Sequence, residues 1–288
     1  MSTTTTDVLD RRTRDPCHPI VHPNDTAVEL IGRPYLSYSS ISAYQACPLR
    51  FFFRYVANLP EETVSASLAF GGAIHAALEH HYRELLAGNP TPKFYEIWDA
   101  FWNAWLEKSN LPISFGANED LSSITSLAQR TLAAFQQSEF SQPTGRILGI
   151  EEELRGQLVP GVPDLLAKID LIVEERDALV VTDFKTSRSR WNEDKVDESA
   201  EQLLLYSELA RELAPGKELR LEFLVIAKTK NVAIDRHEVE YDPQRVERTK
   251  RVVERVWRAI EAGHFYPAPS LLNCSGCPYR EPCRTWRG

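Results

Sequence analysis

Two aspartates and a lysine have the residue types and spacing that metal-assisted phosphodiester cleavage requires. Asp183 and Lys185 stand two positions apart in "TDFKT", and Asp170 precedes them in "AKIDLI". Hard divalent cations such as Mg²⁺ and Mn²⁺ prefer carboxylate oxygens, and they neutralise the charge that builds up during hydrolysis. A lysine ammonium beside them can orient the attacking water. Because acid-x-Lys triplets also occur at the ends of ordinary strands, the surrounding elements must decide between these interpretations.

The residues around the two aspartates predict a β-hairpin. Two runs rich in β-branched and apolar residues flank the turn "EERDA". Alternation in the first run puts positions 165, 167, 169 and 171 on one face and Asp170 on the other. In the second run Asp183 and Lys185 share one side. Asp164, directly after Pro163, is a rival for the first aspartate, but it only opens the strand, so we assign Asp170.

A further carboxylate falls on an apolar face upstream of the hairpin. In "RILGIEEELRGQL" the even positions from 148 to 154 are apolar apart from Glu152, whereas Glu151 and Glu153 point away. A carboxylate on an apolar face needs a partner. Glu152 is therefore a candidate site residue.

Helical patterns surround the predicted strands. "LAFGGAIHAALEHHYRELLAG" repeats apolar residues at a helical period, carries His75 and ends at Gly88. Two more helical patterns between about residues 90 and 143 predict a helical insertion. "ESAEQLLLYSELAREL" predicts a helix with Gln202 and Tyr206 one turn apart on one face. Helices alternating with strands predict an α/β fold.

The cysteines have the spacing of a metal site. Cys274, Cys277 and Cys283 form C-x2-C-x5-C, Cys47 lies far upstream, and Cys17 is not expected to be a ligand. Four thiolates can bind zinc tetrahedrally or hold a [4Fe-4S] cluster. The spacing alone does not separate these two alternatives.

Two groups of basic residues are candidates for contact with nucleic-acid phosphates. Arg188 and Arg190, followed by Trp191 as a candidate for base stacking, come soon after Lys185. In the helix that begins at Pro243, four arginines lie on the arc opposite the apolar face: Arg248, Arg251, Arg255 and Arg258. Glutamates along the border of this arc equally suit a solvated helix face.

Charge and composition restrict the class of protein. The chain has 288 residues and a formal net charge of -8, which argues against a protein that only coats nucleic acid but not against a metal-dependent enzyme. No apolar run is long enough to span a bilayer, so we expect no membrane association. Residues 1–34 are expected to be a polar, poorly ordered lead-in without the apolar stretch of a secretory signal. We therefore expect a cytoplasmic protein with reduced thiols.

Six pieces of the sequence, taken in order, resemble the PD-(D/E)XK nuclease superfamily. The closest resemblance is to the RecB-like exonucleases, including the CRISPR-associated members that carry an iron-sulfur cluster. The pieces are "SYSSISAYQACPLRFFFRYV", "GGAIHAALE", "AKIDLI", "TDFKT", "QLLLY" and "CSGCPYREPC", and they span about residues 36–285. The resemblance implies a single nuclease domain over residues 35–288. It would have a restriction-endonuclease-like core, a mixed central sheet flanked by helices, the helical insertion and the C-terminal cysteine cluster.

The resemblance also implies roles for individual residues. Mg²⁺ or Mn²⁺ would be bound by His75, Asp170, Asp183 and the backbone carbonyl of Phe184. Lys185 would be the catalytic lysine, and Glu152 matches an acidic residue that the family often has before the hairpin. Gln202 and Tyr206 match the family's Q-x3-Y motif beside the active site. A [4Fe-4S] cluster, with zinc as the alternative, would be held by Cys47, Cys274, Cys277 and Cys283.

The function implied is a metal-dependent DNA nuclease, an exonuclease on single-stranded DNA or duplex ends in repair, recombination or defence. One alternative is a CRISPR adaptation nuclease that trims spacers beside an integrase. Another is a non-catalytic DNA-end-binding or scaffolding subunit. The expected partners are DNA and, beyond it, an integrase, a helicase or other repair and defence proteins.

Overall fold

The computed structural model describes residues 22–288. The strands are β1 (Tyr35–Ser37), β2 (Val64–Ser65), β3 (Ile113–Ser114), β4 (Arg146–Gly156), β5 (Asp164–Glu174), β6 (Ala178–Ser187), β7 (Glu218–Ala227) and β8 (Ala233–Val239). The α-helices are α1 (Pro23–Ile31), α2 (Tyr38–Ala46), α3 (Pro48–Phe51), α4 (Ala66–Leu86), α5 (Phe94–Lys108), α6 (Leu121–Gln137), α7 (Glu193–Ser199), α8 (Glu201–Ala210), α9 (Pro243–Glu261), α10 (Leu271–Ser275) and α11 (Arg280–Thr285). Within this part of the chain, no helix has the combined length and apolar character that a membrane span requires.

The central sheet is mixed, with six strands. Five of the strands follow the order β1-β5-β6-β7-β8. The sixth, β4, pairs with the edge of β5 opposite to the one that β1 and β6 share. The predicted hairpin is formed by β5 and β6, but these strands pair only from Leu171 opposite Thr182 to Glu174 opposite Leu179. Beyond that point β6 continues alongside β7, and β1 lies beside the beginning of β5. The hairpin therefore opens next to Asp170 and Asp183.

Helices cover both faces of the sheet. On the first face, called the α8 side, a buried apolar cluster joins the strands to α1, α2, α8 and α9, with Trp257 fully buried in it. On the second face, called the α4 side, another cluster joins the strands to α4, α5 and α6 around Phe70 and Phe101. The prediction of an α/β fold with a mixed sheet flanked by helices is confirmed.

Helix α4 places one functional face over the open hairpin. Ser65 caps its N-terminus by accepting a hydrogen bond from the backbone N–H of Leu68. Its buried stripe alternates small alanines with Phe70, Ile74 and Leu78, all buried on the α4 side. Burying each of these larger side chains contributes about 1.5–3 kcal/mol, which fixes the rotation of the helix. The groove-lining face left over carries two glycines and His75.

The prediction of a poorly ordered lead-in is wrong for residues 23–34. Helix α1 begins with Pro23 at its first turn, and its C-terminus is capped by Gly32, whose φ of 68° is left-handed. Ala27 and Ile31, one turn apart, are buried in the core, and this burial orders the segment. The prediction missed these two buried residues because the segment is mostly polar in composition. The remaining part of the lead-in, residues 1–21 with Cys17, lies outside the described residues.

Two helices, α5 and α6, occupy the range of the predicted helical insertion. They pack on α4 through a set of rings in contact, among them Phe70 with Phe101 at 5.7 Å between centroids. A short parallel pair, β2 with β3, joins the insertion to the start of α4. The insertion therefore supports the helix that carries His75.

Candidate active site

Side chains from α4, β4 and β5 converge where the hairpin opens. His75 Nδ1 lies 3.2 Å from Asp170 Oδ1. A ligand atom of each of three residues, His75, Glu151 and Asp170, lies within 4.8 Å of the other two. A helix, an edge strand and the central strand thus each supply one metal-binding type of side chain to one point.

The predicted placement of Glu152 on the buried face is wrong, and Glu151 lies beside Asp170 instead. Glu152 is exposed, whereas Glu151 is half-buried in the group with Asp170. Strand alternation breaks in β4, because Ile150 packs on the α4 side while Leu154 packs on the α8 side. The break falls at Glu151, whose φ is 53°. A left-handed conformation is costly for a glutamate, and such strain is typical of functional positions.

A matching break occurs in β5. Ile169 packs on the α8 side and Leu171 on the α4 side, so the expectation that they share a face is wrong. Ile150 pairs with Leu171, and Glu152 pairs with Ile169. The two irregular positions between them, Glu151 and Asp170, therefore stand opposite each other. Strict period-two reasoning could not find this, although Gly149, next to a register shift in β4, is a sequence signal for a bulge.

Glu151 is held by a lysine that the sequence did not single out. Its carboxylate forms an ion pair with Lys168, two residues before Asp170 on β5. Burial raises the pKa of Glu151, the negative charge of Asp170 adds to this, and Lys168 opposes it. The ion pair with Glu151 in turn raises the pKa of Lys168. Lys168 thereby offsets part of the negative charge that accumulates in the pocket.

Asp170 is fixed by two hydrogen bonds from different elements. Its Oδ2 accepts a hydrogen bond from the backbone N–H of Phe184 at 2.6 Å, and its Oδ1 faces His75. Burial opposes ionisation of Asp170, but His75, the Phe184 N–H and Lys185 outweigh it, and its pKa is lowered. Burial likewise opposes the charged imidazole, but Asp170 raises the pKa of His75. Asp170 is thus an ionised carboxylate.

The other predicted residues form a second network one strand away. Lys185 Nζ lies 2.5 Å from Asp183 Oδ2 and donates to Gln202 Oε1 at 3.0 Å. Gln202 Nε2 donates to Asp183 Oδ1 at 2.8 Å and lies 3.3 Å from the hydroxyl of Tyr206. Burial raises the pKa of Asp183 to about 6, against the pull of Lys185. Burial also raises the pKa of Tyr206 to about 12, so the phenol stays protonated.

The donor set suits a hard divalent cation. Two carboxylates and an imidazole meet at one point, and oxygen donors dominate, as Mg²⁺ and Mn²⁺ require. Asp183 lies outside that close group and is held by Gln202 and Lys185. The backbone N–H of Phe184 serves Asp170, whereas its carbonyl as a ligand stays a prediction. The rival Asp164 pairs with Arg155 at 3.0 Å and is thereby explained as a structural residue.

Comparison with known proteins identifies the family. A profile of the PD-(D/E)XK nuclease superfamily matches residues 35–284, which is most of the chain. The chain belongs to the PD-(D/E)XK nuclease superfamily. The restriction-endonuclease-like character predicted for the core is confirmed with it. No curated protein matches the sequence significantly.

Comparison with solved structures finds one that shares the fold of this chain. A crystal structure named "Putative exonuclease", from Eubacterium rectale, superposes with a TM-score of 0.54 at 16% identity, covering 92% of this chain and 91% of the other. A second crystal structure, SSO0001, has a TM-score of 0.36 at 16% identity and covers 86% of this chain and 95% of its own. At such identity the first likeness shows the fold alone, and the second carries no argument.

The candidate active site of this PD-(D/E)XK protein lies in an open groove of about 810 Å³. Its floor holds His75, Asp170, Lys185 and the Glu151–Lys168 pair. One wall is α4, and the C-terminal end of α5 contributes the other wall through Ala104, Glu107 and Lys108. The groove is therefore open at the surface between α4 and α5.

The residues predicted to contact DNA fall into different environments. Arg190 forms an ion pair with Asp235, and Arg258 pairs with Glu254 at 2.7 Å. Trp191 packs against Phe223 with 5.2 Å between ring centroids and lies beside His237. The others are exposed: Arg188, Arg248, Arg251 and Arg255. For all seven residues, contact with DNA stays a prediction.

The four predicted cysteine ligands line one cavity of about 40 Å³. The C-terminal segment reaches Cys47 through Tyr279, which is buried between Leu49 and Phe53. Asn273 Nδ2 also donates to the carbonyl of Ala46 at 2.9 Å. Burial raises the pKa of the Cys283 thiol, and the three other cysteines add to this. The structure thus brings the four predicted cysteine ligands together in one place.

Proposed function

We propose that this PD-(D/E)XK protein is a divalent-metal-dependent DNA nuclease, acting as an exonuclease on single-stranded DNA or duplex ends. The observation that carries the proposal is the junction of two networks at the open hairpin. His75, Glu151 and Asp170 form one, and Asp183, Lys185 and Gln202 form the other. A retired site is free to lose such residues, so this intact arrangement favours an enzyme over a non-catalytic scaffold.

The metal would be held by Asp170, Glu151 and His75, with Asp183 beside them. A bound Mg²⁺ or Mn²⁺ supplies Lewis-acid stabilisation of the charge that develops on the phosphate. Asp170 supplies an ionised carboxylate, and the Phe184 N–H fixes its orientation. Lys168 holds Glu151 in place through their ion pair.

Lys185 acts on the reacting phosphate, and Gln202 positions Lys185 and Asp183. The Lys185 ammonium lines the groove and carries positive charge next to the metal-binding carboxylates. It can therefore orient an attacking water and neutralise charge on a phosphate oxygen. Gln202 bridges Lys185 and Asp183, so the two side chains keep their relative positions. The Q-x3-Y helix is a positioning element in this account.

We further propose that the four cysteines hold a [4Fe-4S] cluster rather than zinc. Tetrahedral zinc with Zn–S bonds of about 2.3 Å would bring thiolates within about 3.8 Å of one another. Yet, among the described residues, no three of these Sγ atoms lie within 4.8 Å of one another, although all four thiols line one cavity. A four-iron cluster gives each thiolate its own metal and so suits the wider spread.

The cluster would join the two ends of the nuclease core. Closing the loop from Cys47 to Cys274 removes on the order of 5 kcal/mol of conformational freedom from the unfolded chain, by the reasoning used for disulfides. The visible absorption and the iron content of protein purified without oxygen test the metal directly. Zinc without iron would overturn this assignment.

The test of the nuclease is cleavage of end-labelled single- and double-stranded DNA with Mn²⁺ or Mg²⁺. The wild type is expected to release nucleotides from an end, and Asp183→Asn to lose at least a hundredfold in rate. Asp177→Asn, an exposed aspartate in the turn of the same hairpin, is the matched control. Cleavage that persists in EDTA or in Asp183→Asn would overturn the proposal. The pathway and the protein partners, including an integrase or a helicase, stay predictions.

A further inference from the structure

A lysine that the catalytic network does not use, Lys228, contacts a residue that lines the groove. Lys228 directly follows β7, and its backbone N–H donates to the carbonyl of Ser187 at the end of β6 at 2.7 Å. Its side chain crosses to α4, where Nζ lies 3.2 Å from the hydroxyl of Ser67 and 5.1 Å from the centre of the Phe70 ring. Ser67 lines the active-site groove.

Among the described residues, the charge of Lys228 has no carboxylate in direct contact. Among residues 22–288, no carboxylate oxygen lies within 4.0 Å of its Nζ, although 18 other ion pairs meet that limit. Burial lowers its pKa, and of the two charges that act on it Glu119 is negative and Arg188 positive. A half-buried ammonium without a counter-charge is unfavourable unless an anion from outside the chain pairs with it.

Helix α4 connects Lys228 to the metal-binding residues along one line. Ser67, Gly71 and His75 follow one another at intervals of four residues on its groove face, so Ser67 lies about 12 Å along the helix from His75. Nothing larger than hydrogen projects from Gly71, and Gly72 beside it is exposed. A side chain on Gly71 would meet Thr186 Oγ1 at 3.2 Å. The glycines leave this part of the groove open to the backbone of a ligand.

The spacing fits a nucleic-acid strand. Stacked nucleotides advance about 3.4 Å along a strand, so about 12 Å corresponds to two to four linkages, depending on how far the strand is extended. A strand with one phosphate at His75 and Asp170 would therefore bring a second phosphate to Ser67 and Lys228. Arg188, one residue after Ser187, adds positive charge at the same end.

We infer that Lys228, with the Ser67 hydroxyl, binds a backbone phosphate of the substrate strand two to four linkages from the bond that is cut. This inference rests on the proposed nuclease function, because it takes DNA as the ligand of the groove. Lys228 would fix the register of the strand and so help to select which linkage reaches the metal site. It contributes to binding and positioning and takes no part in the bond-breaking step.

The test measures binding of a fluorescein-labelled single-stranded oligonucleotide in EDTA over a series of salt concentrations. Lys228→Gln is expected to weaken binding about tenfold at low salt and to reduce the slope of log K against log salt by about 0.7, the value for one lost phosphate contact. Lys228→Arg should restore both. Lys230→Gln, an exposed lysine two residues further on, is the matched control and should bind like the wild type.

The outcomes separate this inference from the proposed function. Lys228→Gln binding with the wild-type slope, or Lys230→Gln losing as much, would overturn the phosphate contact even if the wild type cleaves DNA. A reduced slope in a protein that never cleaves with Mn²⁺ would support the contact and overturn the nuclease. Lys228→Met, which keeps the aliphatic stem over Phe70, replaces Lys228→Gln if that variant does not fold.

Discussion

The backbone N–H of Phe184 donates a 2.6 Å hydrogen bond to Asp170 across the gap where β6 leaves β5. A buried N–H that loses its strand partner needs another acceptor, and the carboxylate provides it. The same contact orients Asp170 towards His75 and stabilises its ionised form. The same hydrogen bond therefore compensates for the opening of the sheet and orients a carboxylate of the candidate metal site.

Glu151 and Glu152 give the most direct comparison of two adjacent carboxylates. We expect Glu151→Gln to lower the cleavage rate at least tenfold and to weaken Mn²⁺ binding, because Glu151 lies with His75 and Asp170. Glu152→Gln should remain within about twofold of the wild type, because Glu152 is exposed. Steady-state kinetics over a range of Mn²⁺ concentrations measures both. The reverse order of effects would restore Glu152 as the site residue.

Replacement of Asp183 should stabilise the metal-free protein at neutral pH. Burial raises the pKa of Asp183 from 3.8 to about 6, so the folded state binds its proton more tightly than the unfolded state. The stability linked to this group is therefore fully present below pH 4 and is lost as the pH rises through 6. Asp183→Asn avoids that loss. We therefore expect the free energy of unfolding of this variant to exceed that of the wild type by about 1–3 kcal/mol at pH 7 and to equal it at pH 4. Urea unfolding in EDTA at both pH values measures it, and an equal effect at both would contradict the assigned pKa.

Gln202 should matter for rate more than for binding. It holds Asp183 and Lys185 together, so we expect Gln202→Ala to reduce the maximal rate by about 10²-fold with little change in oligonucleotide affinity. Glu201→Ala changes the neighbouring residue of the same helix and serves as the control. Single-turnover kinetics separates the two parameters. A loss confined to affinity would make Gln202 a DNA contact instead of a positioning residue.

Gly72 gives a test in which stability and function move in opposite directions. Alanine is favoured over glycine within a helix by about 1 kcal/mol, and a Cβ at Gly72 would find only the Lys108 side chain, 4.0 Å away. Gly72→Ala should therefore raise the melting temperature by a few degrees and weaken oligonucleotide binding, because the methyl group enters the groove. Calorimetry and fluorescence titration measure the two effects. Stabilisation without any change in binding would show that the strand does not run along this face.

The proposed cluster predicts that the Cys277→Ala variant lacks colour and iron and is less stable than the wild type. The reason is that the three remaining thiolates leave one iron without a protein ligand and loosen the link to Cys47. Cys17→Ala, a thiol loss outside the cluster, should leave iron content and melting temperature unchanged. Iron analysis and thermal unfolding without oxygen provide the measurements. A Cys277→Ala variant as brown and as stable as the wild type would exclude the proposed ligand set.

The parts of the site that follow from short stretches of sequence were predictable. The hairpin and the helical turn between Gln202 and Tyr206 depend on local patterns, and the structure brings both to one place. Glu151 was missed because the prediction assumed unbroken strand alternation, whereas the alternation breaks at Glu151 itself. Unbroken alternation places Glu152 on the apolar face instead. Lys228 was missed because its partner Ser67 is 161 residues away, a contact that no local pattern indicates.

Cleavage by two aspartate variants tests the central claim most directly. Asp170 and Asp164 lie on the same strand, one at the opening of the hairpin and one paired with Arg155 at the surface. Single-turnover cleavage of end-labelled single-stranded DNA with Mn²⁺ is measured for Asp170→Asn and Asp164→Asn. We predict a loss of at least a hundredfold for Asp170→Asn and a rate within a few-fold of the wild type for Asp164→Asn. Equal rates for the two variants, or loss only in Asp164→Asn, would contradict the assignment of this site.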